Sequence, residues 1–487
     1  MLIDSVQLAA RVEVENLAAR AAPADMVAML AAEPGPAMLE SAAFDPRFGR
    51  YSVLACRPLE VLTCRDGVLS DRSGRELATG GEVWAALARA FAAVRAAAPR
   101  RSSYLPGWIG YIGYEMGRLV ERLPGRAQRD TALPDLRLAF YDALLVHDAL
   151  HGTWALVQLG FDDPPTGAGA AAEALRRIAA QADAVGGAAS PADSSHAAAR
   201  PALRAEPNFT PEAYREAVAR CVEHIAEGDI FQVNLSQRLS AELSASPPSV
   251  YAALRARNPA WYAAYLAFEE AGAPCAVLSS SPELFLRLRG DRVVTRPIKG
   301  TRPRGGDPAA DARAAEELLA SAKDNAELAM IVDLLRNDLG RVCRYGTIRV
   351  SDARRLETHP TVFHLVGTVE GRLREDVGPA ELLRACFPGG SITGAPKIRA
   401  MEIIDESEPV ARGPYTGCIG HVGVSGDATW NIAIRTIVWQ QGRAHVQVGG
   451  GIVADSGPEA EHQETLDKAR AMLEALRTAE DAAGREA

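Results

Sequence analysis

The chain has 487 residues, with 48% hydrophobic and 24% charged side chains and a formal net charge of -9. That length supports a large buried core and a prior of two or three domains, while the acidic balance excludes nucleic acid as the main partner, because phosphate binding needs a basic face. No apolar run approaches the roughly 18 residues of a membrane span, Met1-Leu2-Ile3-Asp4 lacks the layout of a signal peptide, and seven scattered cysteines without a C-x-x-C pair fit reduced thiols, so a cytoplasmic protein without membrane contacts is expected.

Over residues 1–161, alternating segments such as Tyr51–Ala55 and 144–147 predict strands, mixed with Ala-rich helices. The composition then breaks. From 162 to 206 the chain is dominated by Ala, Gly, Pro, Ser and Asp, with Asp162-Asp163-Pro164-Pro165 near its start and Gly186-Gly187-Ala188-Ala189-Ser190 further on. A helix is expected at 171–184, and the second half of the segment reads as a flexible linker. A denser region follows over 207–478, with helices near 211–227, 308–339 and 459–478 and strands notably at 429–439 and 444–448. A short tail, 479–487, remains. Strands and helices without a regular βαβ alternation predict an α+β fold with mainly antiparallel sheets.

One lysine stands out within Pro297-Ile298-Lys299-Gly300-Thr301-Arg302-Pro303-Arg304. It lies between a proline and a glycine, where the chain stiffens and then bends. Burial and neighbouring cations lower an ammonium pKa, and only the neutral amine attacks, so Lys299 is a candidate nucleophile. The alternative is a lysine at a solvated strand end. Just upstream, residues 281–296 read as a β-hairpin turning at Gly290-Asp291. A two-residue turn pairs Glu283 with Ile298, whereas a three-residue turn or a bulge near Pro297 puts Glu283 and Lys299 on one face. Such a carboxyl is either a proton donor beside a nucleophile or a plain cross-strand ion pair.

Two carboxylate pairs lie further on: Asp324 with Glu327, and Glu461 with Glu464. A spacing of three puts each pair on one helix face. Solvated acidic faces are the ordinary reading, but if the two faces met they would make an oxygen-rich site for a hard cation such as Mg²⁺. Gly449-Gly450-Gly451, read as following a strand, lets backbone N–H groups approach a carboxylate, or is a bulge. Tyr415 and Arg435 can supply a hydroxyl and a guanidinium to a second carboxylate, or Arg435 is paired structurally.

Together these residues resemble the chorismate-utilising enzyme family. The likeness covers about 209–469, through Gly228-Asp229-Ile230-Phe231-Gln232-Val233-Asn234-Leu235-Ser236, Ser280-Ser281-Pro282-Glu283, the Lys299 run, and Ile331-Val332-Asp333-Leu334-Leu335-Arg336-Asn337-Asp338-Leu339. It continues in Thr393-Gly394-Ala395-Pro396-Lys397, Tyr415-Thr416-Gly417-Cys418-Ile419-Gly420 and Gly451-Ile452-Val453-Ala454-Asp455-Ser456. Before the composition break, Leu39-Glu40-Ser41 and Gly107-Trp108-Ile109-Gly110-Tyr111-Ile112-Gly113-Tyr114-Glu115 also fit. The implied fold is that of anthranilate synthase component I, with antiparallel sheets packed as a sandwich and flanked by helices. Anthranilate synthases typically carry alanine at the position of Lys299. The isochorismate and salicylate synthase branches carry a water-activating lysine where this chain has Gln232. The pattern here resembles the aminodeoxychorismate synthase component I branch, which makes 4-amino-4-deoxychorismate on the way to p-aminobenzoate and folate.

The resemblance then implies roles. Glu327 and Glu464 would be the direct Mg²⁺ ligands, with Asp324 and Glu461 acting through waters. The metal and Gly449–Gly451 would hold the ring carboxylate of chorismate, and Tyr415 and Arg435 the enolpyruvyl carboxylate. Thr393 would join the substrate contacts. Lys299 would attack ring carbon 2 while Glu283 protonates the hydroxyl leaving carbon 4. His364 would act near the leaving group or the ring carboxylate, unless it is a buried structural histidine. Leu39, Glu40, Ser41, Asn258 and Pro259 resemble parts of a tryptophan pocket. Trp261, however, stands where that pattern has proline, so a structural tryptophan or an empty pocket is expected as readily as feedback control. Cys418 lies in a segment superficially like an amidotransferase nucleophile elbow, but Thr416 stands where that elbow needs glycine, so it reads as a strand cysteine. Ammonia is therefore expected from a separate glutamine amidotransferase subunit. Anthranilate synthase component I and a non-catalytic scaffold of the same fold are the rival expectations.

Overall fold

Every residue of Gly107–Ile112 and of Cys418–Gly423 is buried. Strands that hide both faces must be covered on both sides, which forces sheets to pack on each other and to carry helices outside. The computed structural model describes residues 8–96, 104–185 and 203–486 and shows that arrangement. Among the described residues there is a 13-stranded sheet running from Glu206–Pro207 to Val94–Ala96, and a 12-stranded sheet running from Ile298–Pro303 to Glu76–Thr79. Pairing is antiparallel apart from Leu8–Ala10 beside 94–96. The sheets meet face to face, with Tyr111 of the second stacked on Phe268 of the first at 6.2 Å between ring centroids. Helices Ala170–Val185, Pro247–Arg257 and Pro458–Glu486 cover the first sheet with Leu175, Leu254 and Met472. Helix Ala322–Gly340 packs on Ile298–Pro303 and Val362–Arg372 of the second. The α+β sandwich expected from the sequence is confirmed.

Both sheets draw strands from either side of the 162–206 segment. Ala37–Glu40 pairs with Tyr262–Glu270, and Gly107–Ile112 pairs with Cys418–Gly423. The helix expected at 171–184 is Ala170–Val185. The flexible half of the expected linker (186–202) and Met1–Asp4 lie outside the described residues. No helix among the described residues is long and apolar enough to cross a membrane.

Four local expectations need correction. The helix expected at 308–339 is two helices, Pro308–Ala320 and Ala322–Gly340, broken where Ser321 turns extended and its Oγ caps Asp324 N at 3.2 Å. The strand expected at 429–439 is two strands in different sheets, Ala428–Asn431 and Thr436–Gln440. The chain crosses between sheets at 432–435, where Arg435 takes a left-handed φ of 50°. The triple glycine lies inside strand Arg443–Ile452, paired with Asn234, Leu235 and Ser236, rather than after a strand. The tail expected from 479 continues the terminal helix to Glu486.

A buried ion pair ties these pieces together. Arg412 donates to Glu408 at 2.6 and 2.8 Å, and to the carbonyls of Asn234 and Ile392 at 2.7 and 3.0 Å. Glu408 also accepts from the amide and hydroxyl of Ser236. The two side chains are 1% and 2% exposed. Removing one partner strands the other's charge in a low dielectric, so Arg412→Met should lower the unfolding free energy by about 3–5 kcal/mol. The urea midpoint checks this, and an unchanged midpoint would show that the pair ties nothing together.

Candidate active site

Lys299 sits where three elements converge. The hairpin turns at Gly290-Asp291 as expected, with Arg289 opposite Arg292. A bulge between Leu284 and Arg287 then shifts the register by one. Strands Arg292–Arg296 and Ile298–Pro303 lie end to end along Val362–Arg372, interrupted at Pro297. After Lys299 the register slips again at Gly300, whose φ of 72° suits glycine. A Cβ there would stand 2.8 Å from Leu318 Cδ1 and 2.9 Å from Asp324 Cγ, so only glycine lets helix Ala322–Gly340 approach.

The lysine side chain, 11% exposed, lies among carboxylates. Its Nζ lies 4.0 Å from Glu327 Oε2 and donates to the Ser391 carbonyl at 3.4 Å. Ser391 Oγ in turn donates to Glu283 Oε1 at 2.6 Å, so one serine links both expected catalytic groups. Burial pulls the Lys299 pKa below the usual lysine value, against the pull of Glu327 and Glu283. Burial also pushes Glu283 up to about 7, opposed by Ser391, Lys299 and the amide of Ile298. Both shifts favour neutral forms, an amine and a carboxylic acid, which is the pairing that acid-assisted nucleophilic attack requires.

The four helical carboxylates face each other beside this pair. Burial raises Glu327, Lys299 and Lys323 oppose it, and Asp324 and Glu464 add to it. Burial also raises Glu461, with Glu464 adding, while Glu464 is lowered because Lys468, Lys323 and Lys299 outweigh its burial. Each acid is engaged by a cation: Asp324 by Arg302 at 3.1 Å, Glu461 by Lys323 at 3.9 Å, Glu464 by Lys468 at 2.7 Å and Glu327 by Lys299. The four therefore do not converge on one point. Their all-oxygen donor set and mutual repulsion nevertheless fit a hard divalent cation, and the side chains of Lys323 and Lys468, about half exposed, are free to swing away.

Arg435 is half-buried, and its guanidinium donates to Asn258 Oδ1 at 3.0 Å. Among the described residues it has no carboxylate partner, and burial pulls its pKa down to about 10, leaving it charged at neutral pH. A half-buried cation without a carboxylate partner is a site for an anionic ligand. Tyr415 is buried nearby in the sequence of turns that Arg412 holds, and burial raises its hydroxyl pKa. His364 shares a hydrogen bond at Nδ1 with Thr301 Oγ1, 2.9 Å away, while its buried Nε2 has no partner among the described residues. Burial, Arg435 and His359 hold it well below the usual histidine value, hence neutral.

The glycine strand closes the site. A Cβ on Gly451 would collide with Gln232 Nε2 and stand 3.5 Å from Lys299 Nζ, and one on Gly450 would stand 3.2 Å from Glu461 Oε2. Beyond Val446 the second edge of this strand has no strand partner among the described residues, and there the Gly449 carbonyl accepts from Lys468 Nζ at 2.9 Å. Gln232 Oε1 and Asn234 Oδ1 are buried without partners on the facing strand.

Not every expected residue has the expected place. Thr393 is fully buried and its hydroxyl donates to the Gly389 carbonyl at 3.0 Å, so it shapes the turn instead of facing a ligand. Leu39, Glu40 and Ser41 line a separate cavity of about 460 Å³ with Trp261, Arg287 and Arg289. Asn258 and Pro259 do not line it; Asn258 belongs with Arg435. Cys418 is buried in its strand with a pKa raised well above the thiol value, so it is inert. Sequence reasoning missed Ser391, Asn234, Arg412 and Glu408. Ser391 precedes the quoted Thr393 motif by two residues, the one signal that pointed to it.

The comparisons with known proteins identify the family. Residues 50–474 match the chorismate binding enzyme family. Anthranilate synthase component 1 of Thermus thermophilus is 41% identical over 434 residues, 89% of this chain and 90% of the relative. Aminodeoxychorismate synthase component 1 of Klebsiella aerogenes is 38% identical, over 92% of this chain and 95% of the relative. The crystal structure of anthranilate synthase component I from Streptococcus pneumoniae superposes with a TM-score of 0.72 at 30% identity, covering 88% of this chain and 94% of that one.

The Ser391 hydroxyl holds the Glu283 pKa down, so Ser391→Ala should move it above its value of about 7. Carbon-13 NMR titration of labelled glutamate side chains reads this directly. A downward or absent shift would place Ser391 outside the control of this acid.

Proposed function

The chain belongs to the chorismate-binding enzyme family, and we propose that within it the protein acts as the large subunit of aminodeoxychorismate synthase. The observation that carries this reading is Lys299 itself, a lysine pulled toward its neutral form 4.0 Å from Glu327 and joined to Glu283 through Ser391. As an enzyme acting on chorismate, it would bind the enolpyruvyl carboxylate at Arg435 and Tyr415. The ring carboxylate would lie against the Gly449–Gly451 backbone. Glu327 and Glu464, with Asp324 and Glu461 behind them, would hold Mg²⁺, which supplies charge neutralisation at that carboxylate.

In this reading the Lys299 amine bonds to ring carbon 2 and gives up a proton as it does so. The ring's two double bonds shift by one place, and the carbon 4 hydroxyl leaves as water with the proton of Glu283. Ammonia then bonds to carbon 4 and gives up a proton, the double bonds return, and the carbon–nitrogen bond to Lys299 breaks as the lysine nitrogen takes up a proton and leaves as the neutral amine. Gln232, where other branches carry lysine, offers no base to activate water, so ammonia does not compete with a primed hydroxide. His364, neutral and with a free Nε2, would hydrogen-bond beside the departing group. The cavity behind Ser41 and Trp261 is read as the family's tryptophan pocket, and a second chain, a glutamine amidotransferase, as the source of ammonia.

The rival is anthranilate synthase component 1, favoured by the 41% identity to the Thermus protein. Incubation with chorismate, Mg²⁺ and ammonium salt should give 4-amino-4-deoxychorismate by mass, without pyruvate. Fluorescent anthranilate with pyruvate would overturn the assignment, and complete inertness would favour a scaffold. Lys299→Ala should lower the rate by about a hundredfold or more, as loss of an attacking group does; an unchanged rate would remove lysine from the mechanism. Because Glu283 must be protonated and Lys299 neutral, the rate should follow a bell in pH, lost in acid and lost again in base, since the two required forms coexist only between those extremes. A rate flat across that range would contradict both roles.

A further inference from the structure

We propose that an exposed apolar patch formed by Phe231, Pro396 and Ile398 is the surface on which the ammonia-supplying amidotransferase chain docks. This rests on the reading of the site given above. Phe231 is 71% exposed and Ile398 45% exposed, both unusual for large apolar side chains. The two segments that carry them are tied together. The Phe231 amide donates to the Ala395 carbonyl at 2.7 Å, Gln232 pairs with Ala395, and Ile398 lies in the first turn of helix Lys397–Ser407, which packs on the Gln232 strand.

The occupant is indicated by what lies directly behind the patch. Phe231, just before the strand that starts at Gln232, faces outward, whereas Gln232 faces inward. Gln232 is 1% exposed, and its amide packs on Gly451, the position where a Cβ would stand 3.5 Å from Lys299 Nζ. One residue step therefore separates the open surface from the amine. Exposed Ala454 follows the glycine strand at the same end of the sheet, two residues past Ile452, which pairs with Val233. A reaction that consumes ammonia needs it neutral, and free diffusion through water at neutral pH delivers mainly ammonium. A chain that makes ammonia must then seat beside the site, and this is the exposed apolar surface directly behind the Gln232 strand.

The rim has interface chemistry as well. His224, Glu227, Asp229, Arg399 and Glu402 form one linked run of charge, with Asp229 meeting His224 at 3.1 Å and Arg399 at 2.9 Å, and Arg399 meeting Glu402 at 2.9 Å. An apolar centre inside a rim of mixed charge is the anatomy of a reversible protein contact. Ring-type anchors at the centre of such contacts carry most of the binding energy.

The test uses the full chain and its glutamine amidotransferase component. Phe231→Asp should leave chorismate turnover with ammonium salt within about twofold of the parent. Glutamine-dependent turnover and binding of the amidotransferase, measured by analytical ultracentrifugation, should each fall by about thirtyfold, the loss of one interface anchor. Tyr345→Asp, at a fully exposed aromatic elsewhere, should change neither. Unchanged amidotransferase binding in Phe231→Asp would overturn the proposal. So would self-association of the parent chain alone that the substitution abolishes. If the parent chain makes no aminodeoxychorismate from ammonium salt, the functional reading fails, and the binding measurement still decides the docking surface on its own.

Discussion

The site depends on holding a lysine amine and a carboxylic acid in one buried enclosure without letting them neutralise each other as a tight ion pair. Burying two opposite charges is costly, and direct contact would lock them into a structural salt bridge. Here the Glu283 carboxylate is taken by Ser391 Oγ at 2.6 Å, and Lys299 Nζ reaches the carbonyl of the same serine at 3.4 Å. The serine satisfies both groups and keeps them apart. Desolvation then dominates both pKa values and moves each toward its uncharged form.

That arrangement constrains much of the surrounding fold. Pro297 interrupts a strand that otherwise runs continuously along Val362–Arg372, and Gly300 admits helix Ala322–Gly340 to the lysine's side. The Ser321 cap starts that helix afresh, so Asp324 and Glu327 occupy its first turns and look across to Glu461 and Glu464. The crossing from one sheet to the other at 432–435 leaves Arg435 half-buried without a carboxylate partner among the described residues. The Arg412–Glu408 pair fixes the Asn234 strand to the turn before Tyr415. Candidate site groups from both sheets and two helices are thus held by contacts far apart in sequence.

How much of this was legible follows from the range of each interaction. The hairpin at Gly290-Asp291, the helix after Thr210 and the i, i+3 carboxylate pairs are local patterns, and the sequence carries them openly. Ser321 is also a local signal, overlooked because the apolar period runs on through it. The split at 432–435 was not legible, since Ala428–Asn431 and Thr436–Gln440 look alike as alternating segments and only their partners in space distinguish them. The glycine strand was misplaced for the same reason: three glycines read as lying past a strand end until the paired residues 233–242 are known. Asn258 was assigned to the wrong cavity because a motif gives chain neighbours, whereas the Arg435 contact spans 177 residues.

The account stands on Lys299 acting as a nucleophile and not merely as a charged neighbour. The measurement closest to that claim is peptide mass spectrometry on the chain after brief incubation with chorismate and Mg²⁺ in amine-free buffer and acid quench. Addition of ammonium salt to a second portion establishes that the sample turns over. The account predicts a peptide containing Lys299 that carries chorismate less one water, and its disappearance once ammonia is present. A sample that aminates chorismate yet carries no adduct on Lys299 would contradict it.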